Sequence, residues 1–256
     1  HSRSPPGTCA RKVIPGRVVI VGGGLEGIEA LGEVLRRFRG RLGGITLVEA
    51  RDQLLPGSVR GADRHLRERC LEQGVEIITG DAVARITAKT VFLKSGRKLR
   101  SDATIWTGGP APSPILADSK LARPGHWVPV GQTLEHANFD DVFVIGDAAE
   151  LPRPLRKQAY HALDMGTCAA GNIERRHRGR RLRSFRPSPK PTLVSFGDVD
   201  TLLLSQRLNL AGPGLAAGKE AVYAAVMAAL DQRTLRDRAG AALARGSSAT
   251  RNLLWP

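Results

Sequence analysis

Aromatic residues are scarce in this chain: six Phe, three Trp and two Tyr make up 4% of its 256 residues. So few stacking side chains leave little platform for single-stranded nucleic acid. Cysteine is almost missing, with Cys9, Cys70 and Cys168 far apart and odd in number. No CxxC occurs, which excludes a zinc knuckle and a dithiol redox centre of that spacing. This usage fits a reducing, cytoplasmic setting. No run of roughly 18 apolar residues is present, so nothing reads as a bilayer-spanning helix. The N-terminal HSRSPPGTCARKVIPGR lacks the apolar stretch of a signal peptide and reads as a linker or a cut edge. Acidic side chains are in deficit, 24 against 39 Lys and Arg, for a formal charge of +15. That balance favours anionic partners: nucleotides, acidic lipid or nucleic acid.

What is present is ordinary globular composition, 41% hydrophobic and 25% charged, with length for one large α/β domain or two small ones. RVVIVGG reads as a buried strand ended by glycine. After it, Leu25, Ile28, Leu31, Leu35 and Phe38 recur at helical spacing. Gly43 to Ala50 (GGITLVEA) is a second strand, and Val59 to Gln73 a second helix stopped by Gly74. Short strands follow through TIWTGG, with a turn at Ser95-Gly96. This alternation predicts a right-handed parallel sheet with helices on its faces. The expected divisions are a linker at 1–16, a first domain at 17–125, a second at 126–186, and C-terminal strands and amphipathic helices at 187–256. Within the second, NFDDVFVIGD reads as an apolar strand and Arg156 to Arg176 as a helix. Ala216–Leu230 and about 234–245 read as further helices.

Two motifs carry chemistry. GGGLEG sets Gly22, Gly24 and Gly27 at GxGxxG spacing, with Gly23 between the first two, after a strand and before a helix. The first glycine permits the tight turn, the second lets backbone approach a pyrophosphate, and the third lets helix and strand pack closely. Glu49 ends the second strand 22 residues beyond Gly27, where a carboxylate accepts from the ribose hydroxyls and repels a 2′-phosphate. NADH is therefore preferred over NADPH, with Arg51 close enough to soften the choice and Glu26 an unusual charge inside the turn. The second motif is DVFVIGDAAEL, whose Asp147 is placed either to accept from a polyol or to cap the next helix.

GGGLEGIEA, TLVEA, TIWTGG, DVFVIGDAAEL and KQAYHALDMGTCAAGNI follow one another in an order that resembles two-dinucleotide-binding flavoproteins of the pyridine nucleotide-disulfide oxidoreductase type. The sequence is most similar there to type II NADH dehydrogenases, NADH:quinone oxidoreductases, over about residues 15–230. The resemblance implies a Rossmann-like NAD(P)-binding domain, the C-terminal part of a FAD-binding domain and a C-terminal helical region. It implies hydride transfer from NADH to FAD and electron transfer onward to a quinone or similar acceptor. Gly146 and Asp147 would hold the ribitol and phosphate of FAD, and the helix starting near Lys157, Gln158 and Ala159 would aim its N-terminus at the flavin ring. Glu29 would lie beside nicotinamide and flavin, and Thr107, Gly108 and Gly109 beside NADH. No metal site is implied.

The family's first glycine turn, which holds the FAD pyrophosphate, has no counterpart here, and PPGTCARK supplies neither its strand nor its spacing. The expectation is a fragment; the alternative is an NAD(H)-binding module without flavin. The quinone-lining glutamines of many members are replaced, with Tyr160 and Asp164 at the corresponding positions. His161 and His177 read as surface or packing residues, since hydride transfer needs alignment more than a protein acid. Cys168, without a partner, reads as a small buried residue. RRHRGRRLRSFRP matches no nucleic-acid module, so a specific nucleic-acid partner is not expected, although charge alone keeps that reading open. Type II enzymes attach peripherally to one membrane face through C-terminal amphipathic helices. The resemblance makes Ala216–Leu230, Thr234–Arg245 and Leu253, Leu254 and Trp255 candidates for contact with an anionic membrane surface.

Overall fold

Val18, Val19, Ile20 and Val21 form a strand buried on both faces, and this decides the architecture around them. The computed structural model describes residues 14–58, 60–188, 191–205, 209–212 and 214–230. The first part of the chain runs β1 (Ile14–Val21), α1 (Leu25–Phe38), β2 (Leu42–Val48), α2 (Arg60–Glu72), β3 (Val75–Ile78). A meander follows, β4 (Val83–Ile86), β5 (Thr90–Leu93) and β6 (Lys98–Arg100), before β7 (Ala103–Trp106). The main sheet is parallel in the order β3-β2-β1-β7, with Val18 opposite Ile45 and Ile20 opposite Leu47.

One expectation is corrected here. Helices cover one face of the parallel sheet, not both. Val18 and Ile20 pack with Ile28, Leu31 and Leu35 of α1 and with Leu66 and Cys70 of α2. Val19 and Val21 pack instead on Val91, Leu93 and Leu99 of the antiparallel β4-β5-β6 sheet. The reason is handedness. Two right-handed crossovers stepping in one direction, β1 to β2 to β3, put both helices on the same side. The return from β3 to β7 crosses the other face, and its filler is the meander. Each fully buried Leu or Ile contributes about 1.5–3 kcal/mol relative to exposure.

The later chain adds α3 (Ile115–Asp118), β8 (Val128–Pro129), β9 (Ala149–Glu150), α4 (Ala159–His177), β10 (Thr192–Phe196), β11 (Asp200–Leu204), β12 (Asn209–Ala211) and α5 (Leu215–Leu230). Two compact units result. One takes the described residues up to Gly109 together with those from 191 on, and the other takes Pro110 to 188. The division thus precedes the boundary expected near 125, and the β10-β11-β12 sheet joins the first unit. Val194, Phe196, Leu202 and Leu204 of that sheet enter the same core cluster as α1 and α2. Two glycines make this docking close. A Cβ on Gly32 would lie 2.1 Å from the Gly197 nitrogen, and one on Gly197, at φ +57°, 2.2 Å from the Gly32 oxygen.

Two local readings in the second unit also change. VFVI does not form a strand; its cross-chain pairing is an isolated bridge between Glu135 and Phe143, and Gly146–Ala148 closes as a single helical turn. An extended apolar segment needs a partner edge to become a strand, and the described residues supply only that bridge. The helix expected from Arg156 begins at Ala159, because Gln158 before it is extended at φ −148° and ψ 143°. Asn172 anchors this unit, its amide donating to the carbonyls of Thr133 and Arg183, both at 2.9 Å, and its oxygen accepting the Arg183 N–H at 2.8 Å. The helix expected at about 234–245 and the residues Leu253 to Trp255 lie outside the described residues.

Candidate functional site

β1 ends at Val21 and α1 begins at Leu25, so Gly22, Gly23 and Gly24 make the turn. Gly22 sits at φ +108°, and a Cβ there would lie 2.4 Å from the Thr107 carbonyl oxygen. A Cβ on Gly27 would come within 1.7 Å of the Gly22 oxygen. Gly24 differs, since its Cβ direction meets nothing within 4 Å. The first and third glycines are therefore demanded by this chain's own backbone, whereas the second faces open space where a phosphate can approach. Glu26 is exposed in the first turn of α1.

Thr107 supports the turn from β7. Its N–H donates to Val21 O at 2.7 Å, and its hydroxyl lies 2.8 Å from Val21 O and 3.2 Å from Gly22 O. Gly108 and Gly109 follow as exposed backbone, Gly109 at φ +96°. Glu49 is buried at the end of β2, its carboxylate accepting the Gly23 N–H at 2.6 Å and the Arg51 N–H at 2.9 Å. The following loop closes over the same turn: Leu55, in the left-handed region at φ 48°, donates its N–H to Gly23 O at 2.7 Å. Gly22, Gly23, Glu49 and Thr107 are thus brought into one hydrogen-bonded assembly, with Gly27 packed against the Gly22 carbonyl.

Glu29 lies one turn into α1, half-buried, and is engaged by partners that sequence reasoning missed. Its carboxylate accepts the Ser195 N–H at 3.2 Å and pairs with Lys219 of α5. Lys219 Nζ also donates to Ser195 Oγ at 3.0 Å. The available signal was Lys219 itself, the single lysine of an otherwise alanine-rich helix.

The second unit holds a cleft of about 220 Å³. Gly146, Asp147, Lys157 and Gln158 line it, together with Trp127 and His161. Gly146 is at φ +65°, and the exposed Asp147 follows it. Trp127 was missed, although one of three tryptophans in an aromatic-poor chain is a fair signal. Ala159 starts α4 without lining the cleft. Tyr160 and Asp164 do not line it either: Tyr160 stands edge-on to His161 at 6.4 Å between ring centres, and Asp164 accepts from Ser188 Oγ at 3.2 Å.

Burial pushes the Cys70 thiol up to about 12 and raises that of Cys168. Both are held as thiols, not as the thiolates that redox exchange requires. Among the described residues no cluster of His, Cys, Asp and Glu could hold a metal ion, and no helix is long and apolar enough to cross a membrane.

The geometry has counterparts among known proteins. The chain is 29% identical over 188 residues to Fe-regulated protein 8 of Mycosarcoma maydis, covering 70% of this chain and 47% of that protein. It is 27% identical over 204 residues to the type II NADH:quinone oxidoreductase of Haemophilus influenzae, covering 72% and 46%. It therefore spans about half the length of these curated relatives. Among solved structures, NDH2 from Plasmodium falciparum in complex with NADH superposes with a TM-score of 0.72 at 13% identity, covering 89% of this chain and 64% of that one. The sulfide:quinone oxidoreductase of Aquifex aeolicus superposes at 0.68 and 18% identity, covering 81% and 56%. The family profile described as pyridine nucleotide-disulphide oxidoreductase matches residues 7–166. With more than half its length so matched and a parallel α/β sheet behind the glycine turn, the chain belongs to the pyridine nucleotide-disulphide oxidoreductase family.

Proposed function

We propose that the chain is the donor-binding part of an FAD-dependent NADH oxidoreductase, and that the reduced flavin passes its electrons to a quinone or similar acceptor. The observation that carries this reading is Glu49, buried and fixed by the Gly23 N–H beside the open space at Gly24. It supports a pyrophosphate over the turn and ribose hydroxyls on the carboxylate, with a 2′-phosphate repelled. Asp147 and Gly146 fit the polar chain of FAD, and Lys157 and Gln158 the edge of its ring. FAD, when bound, supplies the hydride acceptor. The protein's part is to orient the nicotinamide, with Thr107 fixing the turn and Glu29, held by Lys219 and Ser195, presenting a carboxylate of defined position. The relatives named for NADH and quinone support the donor and the acceptor class.

The test is an absorbance spectrum of the purified chain with FAD added, then titrated anaerobically with NADH. A retained flavin band that bleaches with NADH is the expected result. NADH binding without flavin retention would leave the non-catalytic NAD(H) module in its place.

α5 carries a second part of the reading, peripheral attachment to an anionic membrane surface. Val222, Tyr223 and Met227 are exposed on it, where water gains nothing from them. An exposed apolar helix in a chain of charge +15 suits an interfacial position. The chain is expected to sediment with vesicles containing anionic lipid, and Tyr223→Glu to reduce that fraction at least fivefold. Equal sedimentation of the two would sink the assignment to α5.

A further inference from the structure

The cleft of the second unit contains a lysine held by neutral groups. Lys157 Nζ lies 3.7 Å from the centre of the Trp127 ring, over its face, and donates to the backbone carbonyl of Asp147. Neither contact carries a full negative charge. A lysine stem is flexible enough to carry its ammonium into water, yet this one is retained inside the cleft lining. Burial lowers its pKa, more than the Asp147 and Glu150 carboxylates raise it. A partly desolvated cation of this kind has most to gain when negative charge arrives opposite it. Contact with the face of the ring fixes where that gain is realised.

We propose that Lys157 sets the reduction potential of the flavin bound in this cleft, by stabilising the negative charge that the ring system acquires on reduction. The proposal rests on the reading that the cleft takes FAD. Hydride transfer would carry two electrons and one proton from NADH to a bound flavin, leaving NAD+ and one net negative charge on the ring system. The oxidised ring is neutral. Lys157 therefore favours the reduced state over the oxidised one, and only that difference moves the equilibrium. Trp127 keeps the ammonium in place. The lysine also stands two residues before α4, so its charge adds to that helix's N-terminal dipole.

The test compares the wild-type chain with Lys157→Met, Lys157→Gln and Lys157→Arg. FAD binding is followed by quenching of tryptophan fluorescence, and the midpoint potential by absorbance against a reference dye. Lys157→Gln keeps a donor for the Asp147 carbonyl, so it reports on charge even where the methionine variant loses its fold. The expected result is weaker binding of both forms of FAD in the neutral variants, with the affinity for the reduced form falling about tenfold further than that for the oxidised form. That ratio makes the midpoint about 30 mV more negative in a two-electron couple. Lys157→Arg restores most of the shift. Flavin retained at an unchanged potential in both neutral variants would overturn the role of Lys157 while leaving the cofactor reading intact. Failure of the wild-type chain to take up flavin would overturn both.

Discussion

A Gly27→Ala chain is expected to lose NADH binding and to unfold at a lower temperature, whereas Gly24→Ala loses binding alone. The added methyl at position 27 would sit 1.7 Å from the Gly22 carbonyl oxygen, so α1 or the turn must move. Overpacking against backbone costs about 1–3 kcal/mol, and here no flexible side chain can yield. Moving the turn also breaks the alignment of Gly22 O with Thr107 and of Gly23 N–H with Glu49. At position 24 the methyl meets only space, so the fold is undisturbed while the approach of a phosphate is obstructed. NADH fluorescence titration and thermal unfolding of both variants separate the two effects. An NADH affinity within twofold of wild type in Gly27→Ala would sink the assignment of this turn.

Glu49→Gln is expected to weaken NADH binding by about 30- to 100-fold and to narrow the preference for NADH over NADPH at least tenfold. The native carboxylate accepts two backbone N–H groups, from Gly23 and Arg51. A glutamine amide has one acceptor and one donor end, so one of these N–H groups must face another donor. Hydrogen bonds to a charged group are worth about 1.5–3 kcal/mol, and a buried unsatisfied partner costs a similar amount. Loss of the charge also removes the repulsion that disfavours a 2′-phosphate. Competition titrations with both nucleotides measure the ratio; an unchanged ratio would place the selectivity elsewhere, with Arg51 the first residue to test.

The glycine turn was legible in sequence because its requirements are local. The strand, the spacing and a carboxylate at the end of the next strand fall within 33 residues, Arg17 to Glu49. Thr107 lies far along the chain, and its place beneath the turn follows from β7 pairing with β1. That pairing is a tertiary fact, yet TIWTGG flagged it through the family pattern. The face covered by the meander was misread, since periodicity tells that both faces of β1 are buried and says nothing of what buries them. VFVI was misread for the same reason: its residues suit a strand, but a strand exists only beside a partner. Lys219 and Ser195 escaped because hydrogen-bond partners 190 and 166 residues from Glu29 leave no trace in spacing.

The docking of α1 on the β10-β11 hairpin has a consequence for the order of synthesis. Its links are long: Arg39 at the end of α1 to Asp198 spans 159 residues, and His65 of the neighbouring α2 to Asp200 spans 135. The ribosome must therefore release the whole of the second unit before Phe196 and Leu202 can reach Ile28 and Leu31. At about 5–20 residues per second, the greasy face of α1 waits on the order of ten seconds for its cover. The closing contact also bears the entropy of a very long loop, which slows folding more than it lowers stability. A nascent chain of this design is expected to expose that face longer than the glycine turn beside it, whose partners Glu49 and Thr107 are made well before β10.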